Sequence, residues 1–466
     1  MRTDKMKLKP IIVISFLFLI LYYGCEAGQS DPIPKNIILL IADGCGYNHV
    51  DAANLYRFGK TGSAVYEKFP VIYALSTYSS SSEGYDPAQM WAKFDYARKK
   101  PTDSAAATSA LACGIKTYNG IIGMDTSYTI VENIAERAEK LGKASGVITS
   151  VQFNHATPAG FAAHDSSRRN YAALGKEMLA GKMEVIMGCG HPEYGDTSEP
   201  IEEPDYERWG GPENWQAITN NKISSDADGD GVEDVWTFIE DRKDFQNLMN
   251  GDTPRRVFGL ARSVSTLQQN RTNGDKDGPP FKVPFNEAVP TLEEMTKAAL
   301  NVLDNDPDGF FLMIEGGAVD WASHDNQSGR MIEEKIDFDR SIEAVISWVE
   351  TNSSWGETLV MITGDHETGY LSGPDSGDDT KLETGGISAV WKPLVNNGKG
   401  VQPGMEWHSK SHTNQLIPFY AKGAGSNRFN TFADQTDPVR GKYIDNTEVA
   451  DVMFGLWPIL EVMDQH

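Results

Sequence analysis

KNIILLIADG (residues 35–44) is an unbroken apolar run that ends in Asp-Gly, and three later stretches have the same form. These stretches are KASGVITS at 143–150, DGFFLMIEGG at 308–317 and ETLVMITGDH at 357–366. Continuous apolar runs of this length are typical of strands that are buried on both faces of a sheet. Helical patterns lie between them, at residues 130–141, 291–303 and 332–350. This alternation predicts an α/β fold with a central, mostly parallel mixed sheet flanked by helices on both faces.

The carboxyl end of each predicted strand carries side chains that can bind metal ions or phosphate. These residues are, in chain order, Asp43, His155, Thr157, Glu315, Asp365 and His366. In open α/β sheets, ligands bind beyond the carboxyl ends of the strands. The sequence therefore predicts a binding site at this edge of the sheet.

Two further motifs supply histidine and carboxylate side chains. EGGAVDWASHD places Asp320 and His324 four residues apart, which puts both side chains on one face of a helical turn. HSKSHTNQ contains His408 and His412. Each motif alone is also typical of a turn, a capping pair or a solvated loop. Together with Asp43 and the TGDHETG motif, they provide enough ligands for two zinc ions, with oxygen ligands left for magnesium.

PTDSAAATSALACGIKTYNG (residues 101–120) places one serine at the start of an alanine-rich segment. Alanine favours helices, so the segment predicts a short helix over residues 105–112, which Gly114 would end. Ser104 then lies at the helix amino terminus, where unpaired backbone N–H groups and the helix dipole favour an anion. This stretch alone leaves two interpretations open: Asp103 or Ser104 caps the helix, or Ser104 is a nucleophile.

The amino terminus predicts export. Basic residues precede PIIVISFLFLILYYGC, an apolar run that is short for a membrane span and is typical of a signal peptide. The run ends at Cys25, as in a bacterial lipoprotein signal, although Tyr22 and Tyr23 differ from the small residues usual there. Cleavage after Ala27 is the alternative. We therefore expect residues 1–25 to be a signal peptide, and the mature protein to be periplasmic, extracellular or lipid-anchored at Cys25.

The rest of the chain, residues 36–466, is long enough for one large α/β domain with insertions. The strand–helix pattern weakens at about 190–290 and again at about 372–406, which predicts two loop-rich insertions. The formal net charge of −24 argues against a nucleic-acid-binding surface, and an anionic substrate would need locally placed cations. The cysteines beyond the signal peptide are Cys45, Cys113 and Cys189. Their odd number and scattered positions predict small buried residues and no disulfide framework.

Six motifs in this chain resemble those of the alkaline phosphatase family, in the family's order. They are IILLIADG, TDSAAATSALACGIKTYNG, HATPAGFAAHDSSRRNY, IEGGAVDWASHD, MITGDHETG and HTNQLIPFYAKG. The resemblance extends from about residue 36 to residue 457 and is interrupted by the two predicted insertions. It implies a phosphomonoesterase that uses two zinc ions and one magnesium ion and releases inorganic phosphate. It also implies a homodimer.

The resemblance implies a role for each matched residue. Ser104 corresponds to the nucleophile that is transiently phosphorylated, and Arg168 to the guanidinium that holds two phosphate oxygens. The implied metal ligands are Asp320, His324 and His412 for one zinc, Asp43, Asp365 and His366 for the other, and Asp43, Thr157 and Glu315 for magnesium. Two metal ions about 4 Å apart can stabilise the attacking and leaving oxygens of an in-line displacement.

Two positions vary within the family that this chain resembles. His155 stands where some bacterial members have an aspartate near the magnesium, and Trp321 stands where some have a lysine that contacts phosphate through water. These differences imply changes in magnesium affinity, phosphate release and pH optimum. We expect His155, Trp321 and Asp103 to support the site from outside the ligand set.

The stretch DADGDGVED (residues 226–234) is a separate signal. Its candidate ligands are Asp226, Asp228, Asp230 and Asp234. The alternating oxygen donors, with Gly231 after the third, match the first half of an EF-hand loop, but the twelfth position is Thr237 and not glutamate. A calcium-stabilised loop and a solvated acidic turn both stay open.

Two other functions stay open from the sequence. One is a related phosphodiesterase; a sulfatase is disfavoured, because no Cys or Ser in this chain is followed by x-Pro-x-Arg. The other is an exported, calcium-dependent surface-binding protein whose metal ions are structural. Such a protein would need neither Ser104 nor Arg168.

Overall fold

The computed structural model of the chain describes residues 32–271 and 276–459. The predicted signal peptide and Cys25 lie outside these residues. Within them, no helix is both long enough and apolar enough to cross a bilayer. Among the described residues, Cys45, Cys113 and Cys189 are buried and form no disulfide with one another, as their spacing predicts.

An eleven-stranded mixed sheet forms the centre of the described chain. Its strands are β1 (Asn36–Ala42), β2 (Val71–Ser76), β3 (Ala144–Gln152), β4 (Val185–Cys189), β5 (Thr237–Ile239), β6 (Val257–Leu260), β7 (Phe310–Glu315), β8 (Thr358–Gly364), β9 (Ile417–Gly423), β10 (Gln435–Asp437) and β11 (Gly441–Asp445). The order across the sheet is β10-β11-β2-β9-β8-β1-β7-β3-β4-β6-β5. Strand β9 is antiparallel to both its neighbours and β10 is antiparallel to β11, while every other neighbouring pair is parallel. The predicted mostly parallel mixed sheet is confirmed.

Helices, 3₁₀ turns and short two-stranded pairs lie between the strands of the central sheet. The α-helices are α1 (Tyr47–Phe58), α2 (Pro87–Met90), α3 (Ser104–Cys113), α4 (Ile134–Lys140), α5 (Ala156–Ala159), α6 (Tyr171–Ala180), α7 (Pro212–Thr219), α8 (Arg242–Asn247), α9 (Leu292–Leu303), α10 (Ala318–His324), α11 (Ser328–Asn352), α12 (Leu382–Gly385), α13 (Ile387–Val390) and α14 (Asn446–Leu456). Short 3₁₀ turns span Val65–Lys68, Phe94–Arg98, Glu207–Trp209, Asp379–Lys381 and Ser426–Thr431. Three two-stranded pairs join Glu367–Thr368 to His412–Thr413, Leu371–Ser372 to Glu406–Trp407, and Ser224–Ser225 to Asp234–Val235.

Alternate side chains of β1 enter two different hydrophobic clusters. Ile37, Leu39 and Ile41 pack in the cluster that includes α3, α4, α6 and α14. Ile38 and Leu40 pack in the cluster that includes α1, α9 and α11. Because successive side chains of a strand point to opposite faces, helices cover the sheet on both sides. This double burial explains why the strand sequence is apolar throughout rather than alternating.

The helices begin and end near the positions that the sequence predicts. Thr291 caps α9: its hydroxyl accepts a hydrogen bond from the Glu294 N–H at 3.1 Å, and the Glu294 carboxylate accepts one from the Thr291 N–H at 3.0 Å. Gly114 ends α3 in a left-handed conformation, with φ 72°. Helix α4 begins later than predicted, because Asn133 caps it and Ile130 pairs in an isolated β-bridge.

The two segments predicted as insertions differ in structure. Residues 190–290 include β5 and β6, which extend the central sheet beyond β4, so part of this segment belongs to the scaffold. The apolar stretches around Phe238 and Phe258 are too short to stand out as buried strands in the sequence. Residues 372–406 include α12 and α13, and Val390 packs there in a small hydrophobic cluster with Trp91.

Candidate active site

Three adjacent strands bring the predicted carboxylates together. Strand β1 lies between β7 and β8, and the register pairs Ile41 with Glu315. Asp43 and Asp365 directly follow the paired ends of β1 and β8. All three acidic side chains are fully buried. Residues that are far apart in the sequence therefore share one edge of the sheet, as the strand-end pattern predicts.

A glycine lets the next element approach this edge. Gly44 has φ 74°, and a Cβ atom there would lie 2.7 Å from the Cα atom of Asp320. The Gly44 N–H donates a hydrogen bond to Asp365 Oδ1 at 3.0 Å. The Asp-Gly ending of β1 therefore orients one carboxylate and makes room for α10, which carries Asp320 and His324.

The first ligand cluster consists of Asp43, Asp365 and His366. His366 Nε2 lies 3.5 Å from Asp43 Oδ1 and 3.1 Å from Asp365 Oδ2. Both carboxylate oxygens of Asp43 and Oδ2 of Asp365 are buried without a hydrogen-bond partner among the described residues. Burying unpaired carboxylate oxygens is costly, so their convergence on one imidazole nitrogen fits a divalent cation.

The second cluster consists of Asp320, His324 and His412. The Nε2 atoms of the two histidines are 3.0 Å apart, and they lie 3.4 Å and 3.7 Å from the carboxylate oxygens of Asp320. His324 Nδ1 is 2.7 Å from the carbonyl oxygen of Lys410, and His412 Nδ1 is 2.8 Å from that of Thr102. Each Nδ1 therefore carries the proton, and each Nε2 presents a lone pair. Two lone pairs this close repel each other, and a bound cation removes the repulsion.

The third cluster consists of Asp43, His155 and Glu315, so Asp43 belongs to two clusters. Glu315 Oε1, the Thr157 hydroxyl and His155 Nδ1 are all buried without a hydrogen-bond partner in the described part of the chain. The other Glu315 oxygen accepts a hydrogen bond from the Thr149 hydroxyl. The sequence predicts a supporting role for His155, and the geometry also brings its ring within reach of a cation at this cluster.

The first and second clusters adjoin. The rings of His366 and His412 stack with centroids 3.6 Å apart, and His366 also groups with Asp320 and His412. The Thr368 hydroxyl donates to Asp320 Oδ1 at 2.5 Å and lies 3.3 Å from His366 Nδ1. Thr368 thus orients one side chain of each cluster. The motif analysis missed it, although it stands two residues after His366 within TGDHETG.

Burial shifts the pKa values of these groups towards their neutral forms. Burial, and after it the neighbouring carboxylates, raises the pKa of Asp43 well above its usual range and that of Asp365 to about 7. Burial also raises the pKa of Glu315 to about 8. Burial lowers the pKa of His366 far below its usual value and, with a nearby guanidinium, lowers that of His155 to about 3. The imidazoles of His155 and His366 are therefore neutral at pH 7, the form that binds metal ions, and these three carboxylates need cations to stay ionised.

Ser104 is the first residue of α3, and its Oγ lies 3.3 Å from His366 Nε2. The preceding residue, Asp103, caps the helix by accepting a hydrogen bond from the Ala106 N–H at 3.0 Å. The second Asp103 oxygen, Oδ2, accepts a hydrogen bond from Arg168 Nη1 at 3.1 Å. The cap is therefore Asp103, and the Ser104 hydroxyl faces the ligand clusters.

A cleft of about 800 Å³ opens over this arrangement. The predicted residues that line it are Ser104, Asp103, His155, Arg168, Asp320, Trp321, His324 and His412. The edge of the Trp321 ring lies against His155, with centroids 5.9 Å apart. Residues that no motif indicated also line the cleft, among them Lys100, Gln269 and Asn270.

Two other predicted positions lie apart from the clusters. His408 does not join the metal-ligand groups of the described chain: its Nε2 is 2.7 Å from the Ser372 hydroxyl. In the acidic loop, the carboxylates of Asp226, Asp228 and Asp230 converge. Asp234 instead accepts a hydrogen bond from the Ala227 N–H, and Arg255 pairs with Asp228. The calcium interpretation of this loop stays a prediction.

The alkaline phosphatase family profile matches residues 34–389, which is most of the chain and includes the strand ends and Ser104. The chain belongs to the alkaline phosphatase family. It is 28% identical to alkaline phosphatase 3 of Bacillus subtilis, over 92% of this chain and 90% of that protein. It is also 28% identical to the alkaline phosphatase of Escherichia coli, over 88% of this chain and 85% of that one.

Solved alkaline phosphatases share the fold. The enzyme from the Antarctic bacterium TAB5 superposes with a TM-score of 0.59 at 24% identity, over 92% of this chain and 98% of that chain. The cold-active enzyme of Shewanella sp. superposes with a TM-score of 0.62 at 24% identity, over 91% and 100%. This alkaline phosphatase family member is an enzyme of the phosphomonoesterase class, and the family is metal-dependent.

Proposed function

We propose that the protein hydrolyses phosphate monoesters through a phosphoserine at Ser104, in a site that holds two zinc ions and one magnesium ion. The observation that carries the proposal is the 3.3 Å distance from Ser104 Oγ to His366 Nε2, because a hydroxyl at that distance borders a ligand cluster suited to a divalent cation. Neither a structural metal site nor a cation-stabilised surface loop requires this arrangement.

The donor chemistry supports the choice of metals. The proposed ligands are Asp320, His324 and His412 for one zinc, Asp43, Asp365 and His366 for the other, and Asp43, Thr157 and Glu315 for magnesium. Neutral imidazoles combined with carboxylates are typical zinc ligands, whereas oxygen donors alone suit magnesium. When bound, these ions would stabilise negative charge on the attacking and leaving oxygens.

The side chains around Ser104 would perform the transfer. Ser104 Oγ gives its proton to solvent and attacks the phosphorus atom as the bond to the alcohol oxygen breaks on the opposite side. The departing oxygen takes up a proton from solvent and leaves as the alcohol. Arg168 holds two phosphoryl oxygens. Asp103 accepts a hydrogen bond from the same guanidinium at 3.1 Å and so fixes its orientation. The first N–H groups of α3 add positive potential where phosphoryl charge gathers. Water then attacks the phosphoserine, which releases inorganic phosphate and restores the hydroxyl.

Replacing Arg168 with alanine should weaken phosphate binding by about 10–100-fold, because two charge-assisted hydrogen bonds to the phosphoryl group are lost. The competitive inhibition constant of inorganic phosphate measures this loss directly. Arg168→Lys is the matched control, since it keeps the positive charge but loses the bidentate hydrogen bonding. Its inhibition constant should lie between those of the wild type and Arg168→Ala. An unchanged inhibition constant in Arg168→Ala would remove the proposed phosphate contact.

The function itself is tested with two related substrates. The purified protein, supplied with zinc and magnesium, should hydrolyse 4-nitrophenyl phosphate with a much larger kcat/KM than bis(4-nitrophenyl) phosphate. The guanidinium of Arg168 accounts for this preference, because it can pair with two unesterified oxygens of a monoester. Preferential hydrolysis of the diester would favour the phosphodiesterase alternative. No hydrolysis of either substrate by the metal-loaded protein would favour a structural role for the metals.

Several properties are proposed from the sequence and the family alone. We propose export through the signal peptide at residues 1–25, with lipid anchoring at Cys25 or cleavage after Ala27. We also propose a homodimer. The loop of Asp226, Asp228, Asp230 and Asp234 is proposed as a calcium site, with a solvated acidic turn as the alternative. Mass spectrometry of the mature amino terminus, light scattering and calcium titration of the metal-loaded protein test these three points separately.

A further inference from the structure

We infer that Lys100 binds a second anionic group of the substrate, so that the enzyme favours phosphate monoesters whose leaving group carries a carboxylate or another phosphate. The inference rests on the proposed phosphomonoesterase function. Among the described residues that line the cleft, Lys100 and Arg168 are the two that carry lysine or arginine side chains. Arg168 already pairs with Asp103 and is proposed to bind the phosphoryl group that reacts. Lys100 is therefore the cationic side chain that can bind another part of the substrate.

The backbone holds Lys100 in an uncommon conformation. Its φ is 43°, in the left-handed region, and the next residue is Pro101. A residue with a Cβ atom rarely adopts this conformation, and a following proline restricts the backbone further. Local strain of this kind persists only where the surrounding structure imposes it, and it clusters at ligand-binding sites. Here it occurs four residues before Ser104, at the wall of the cleft.

The ammonium group of Lys100 is available for a ligand. Its partner is Glu83, at 3.5 Å, and the two side chains are 62% and 92% exposed. Glu83 lies outside the lining of the active-site cleft, and an exposed ion pair of this type contributes little. The Lys100 ammonium can therefore leave Glu83 and pair with a substrate carboxylate in the cleft. The acidic groups that do line the cleft are Asp103, which is paired with Arg168, and Asp320 and Asp325.

Because the whole protein is strongly acidic, a single lysine at the edge of the cleft can determine whether an anionic leaving group binds there. With a formal net charge of −24, the protein repels anionic leaving groups over most of its surface. A cleft of about 800 Å³ leaves room for a leaving group of several carbon atoms beside the phosphoryl group. A second anionic group can therefore be accommodated in the cleft, and Lys100 supplies the local attraction that it needs.

A pair of substrates that differ in one group tests the inference. 3-Phosphoglycerate has a carboxylate where glycerol 3-phosphate has a hydroxymethyl group. In the metal-loaded full chain, Lys100→Gln should raise KM for 3-phosphoglycerate by about threefold to fivefold and leave KM for glycerol 3-phosphate unchanged. Lys100→Arg should retain the wild-type preference. Glu83→Gln should lower KM for 3-phosphoglycerate by about twofold, because it removes the competing carboxylate.

Lys99→Gln is the matched control, since Lys99 is the neighbouring lysine and does not line the active-site cleft. It makes the same change in net charge and should leave both KM values unaltered. Equal changes for both substrates in Lys100→Gln, or an equal effect of Lys99→Gln, would overturn the inference while leaving the phosphomonoesterase proposal intact. Failure of the wild type to hydrolyse either substrate would overturn the proposed function and this inference together.

Discussion

Replacing Ser104 with alanine should lower kcat for 4-nitrophenyl phosphate by at least about 1000-fold, because the atom that accepts the phosphoryl group is gone. The substitution removes one oxygen from the first turn of α3 and keeps Asp103 as its cap. Asp103 still holds Arg168, so inorganic phosphate should inhibit any residual activity with a similar constant. Steady-state kinetics at saturating substrate, with zinc and magnesium present, provide the measurement.

A serine elsewhere in the cleft is the control for this substitution. Ser411 also lines the cleft but precedes the proposed ligand His412 in a separate loop, so Ser411→Ala should change kcat by no more than about twofold. Reactions with labelled phosphate, stopped with acid, should leave the label on the peptide that contains Ser104. Label on a different peptide, or near-normal turnover by Ser104→Ala, would rule out the phosphoserine proposal.

The strands and the helix that carry the site can be predicted from the sequence, because each of them is recognisable from a short stretch of residues. Each of the four long apolar runs forms a strand of the central sheet, and the acidic and histidine residues at their ends can be found by reading a few positions further. Parallel strands end at the same edge of a sheet, so the convergence of these side chains follows from the fold class alone. The alanine-rich helix and its glycine stop follow from propensity in the same way.

Tertiary contacts decide what the sequence could not predict. Asp320 approaches Gly44 so closely that a Cβ atom on Gly44 would lie 2.7 Å from the Asp320 Cα. This approach and the bridging position of Thr368 depend on how α10 and a short two-stranded pair pack against the strand ends. Lys100 belongs to no motif, and its φ of 43° is imposed by its surroundings against local preference. Strands β5 and β6 were missed because short strands become recognisable only when a neighbour completes them.

Removing the metal ions should abolish activity and lower the Tm by about 10 °C or more, because the buried carboxylates lose the charges that compensate them. The metal-free protein is destabilised by buried carboxylate oxygens of Asp43, Asp365 and Glu315 that have no hydrogen-bond partner among the described residues. Differential scanning calorimetry before and after treatment with EDTA measures this destabilisation, and added zinc and magnesium should restore both properties. A variant with Asp226, Asp228 and Asp230 all changed to asparagine removes the contribution of the acidic loop, and EDTA should still abolish its activity and lower its Tm by about 10 °C or more. An equal Tm with and without metal would contradict the assignment of these residues as ligands.

The metal-free protein should also lose stability as the pH rises from about 6.5 to 8. The folded-state pKa is raised to about 7 for Asp365 and to about 8 for Glu315, so these carboxyl groups keep protons that the unfolded chain has released, and stability falls as pH increases. Buried His155, with its pKa lowered to about 3, acts in the opposite direction, but only up to the pKa of about 6.5 of an unfolded histidine. Other buried histidines with lowered pKa values, such as His49 and His366, act in the same way as His155. Above about pH 6.5 their opposing effect fades, while the carboxyl effect continues to about pH 8.

Metal binding should cancel this pH dependence, because carboxylates that hold metal ions have no proton left to lose. We expect the Tm of the metal-free protein to fall by about 3 °C or more between pH 6.5 and 8, and that of the loaded protein to change less. Other buried carboxyl groups with raised pKa values, such as Glu184 and Glu334, are present in both forms and drop out of the comparison. Parallel pH profiles for the two forms would mean that the ions bind elsewhere, since only ligation at Asp365 and Glu315 removes the protons responsible.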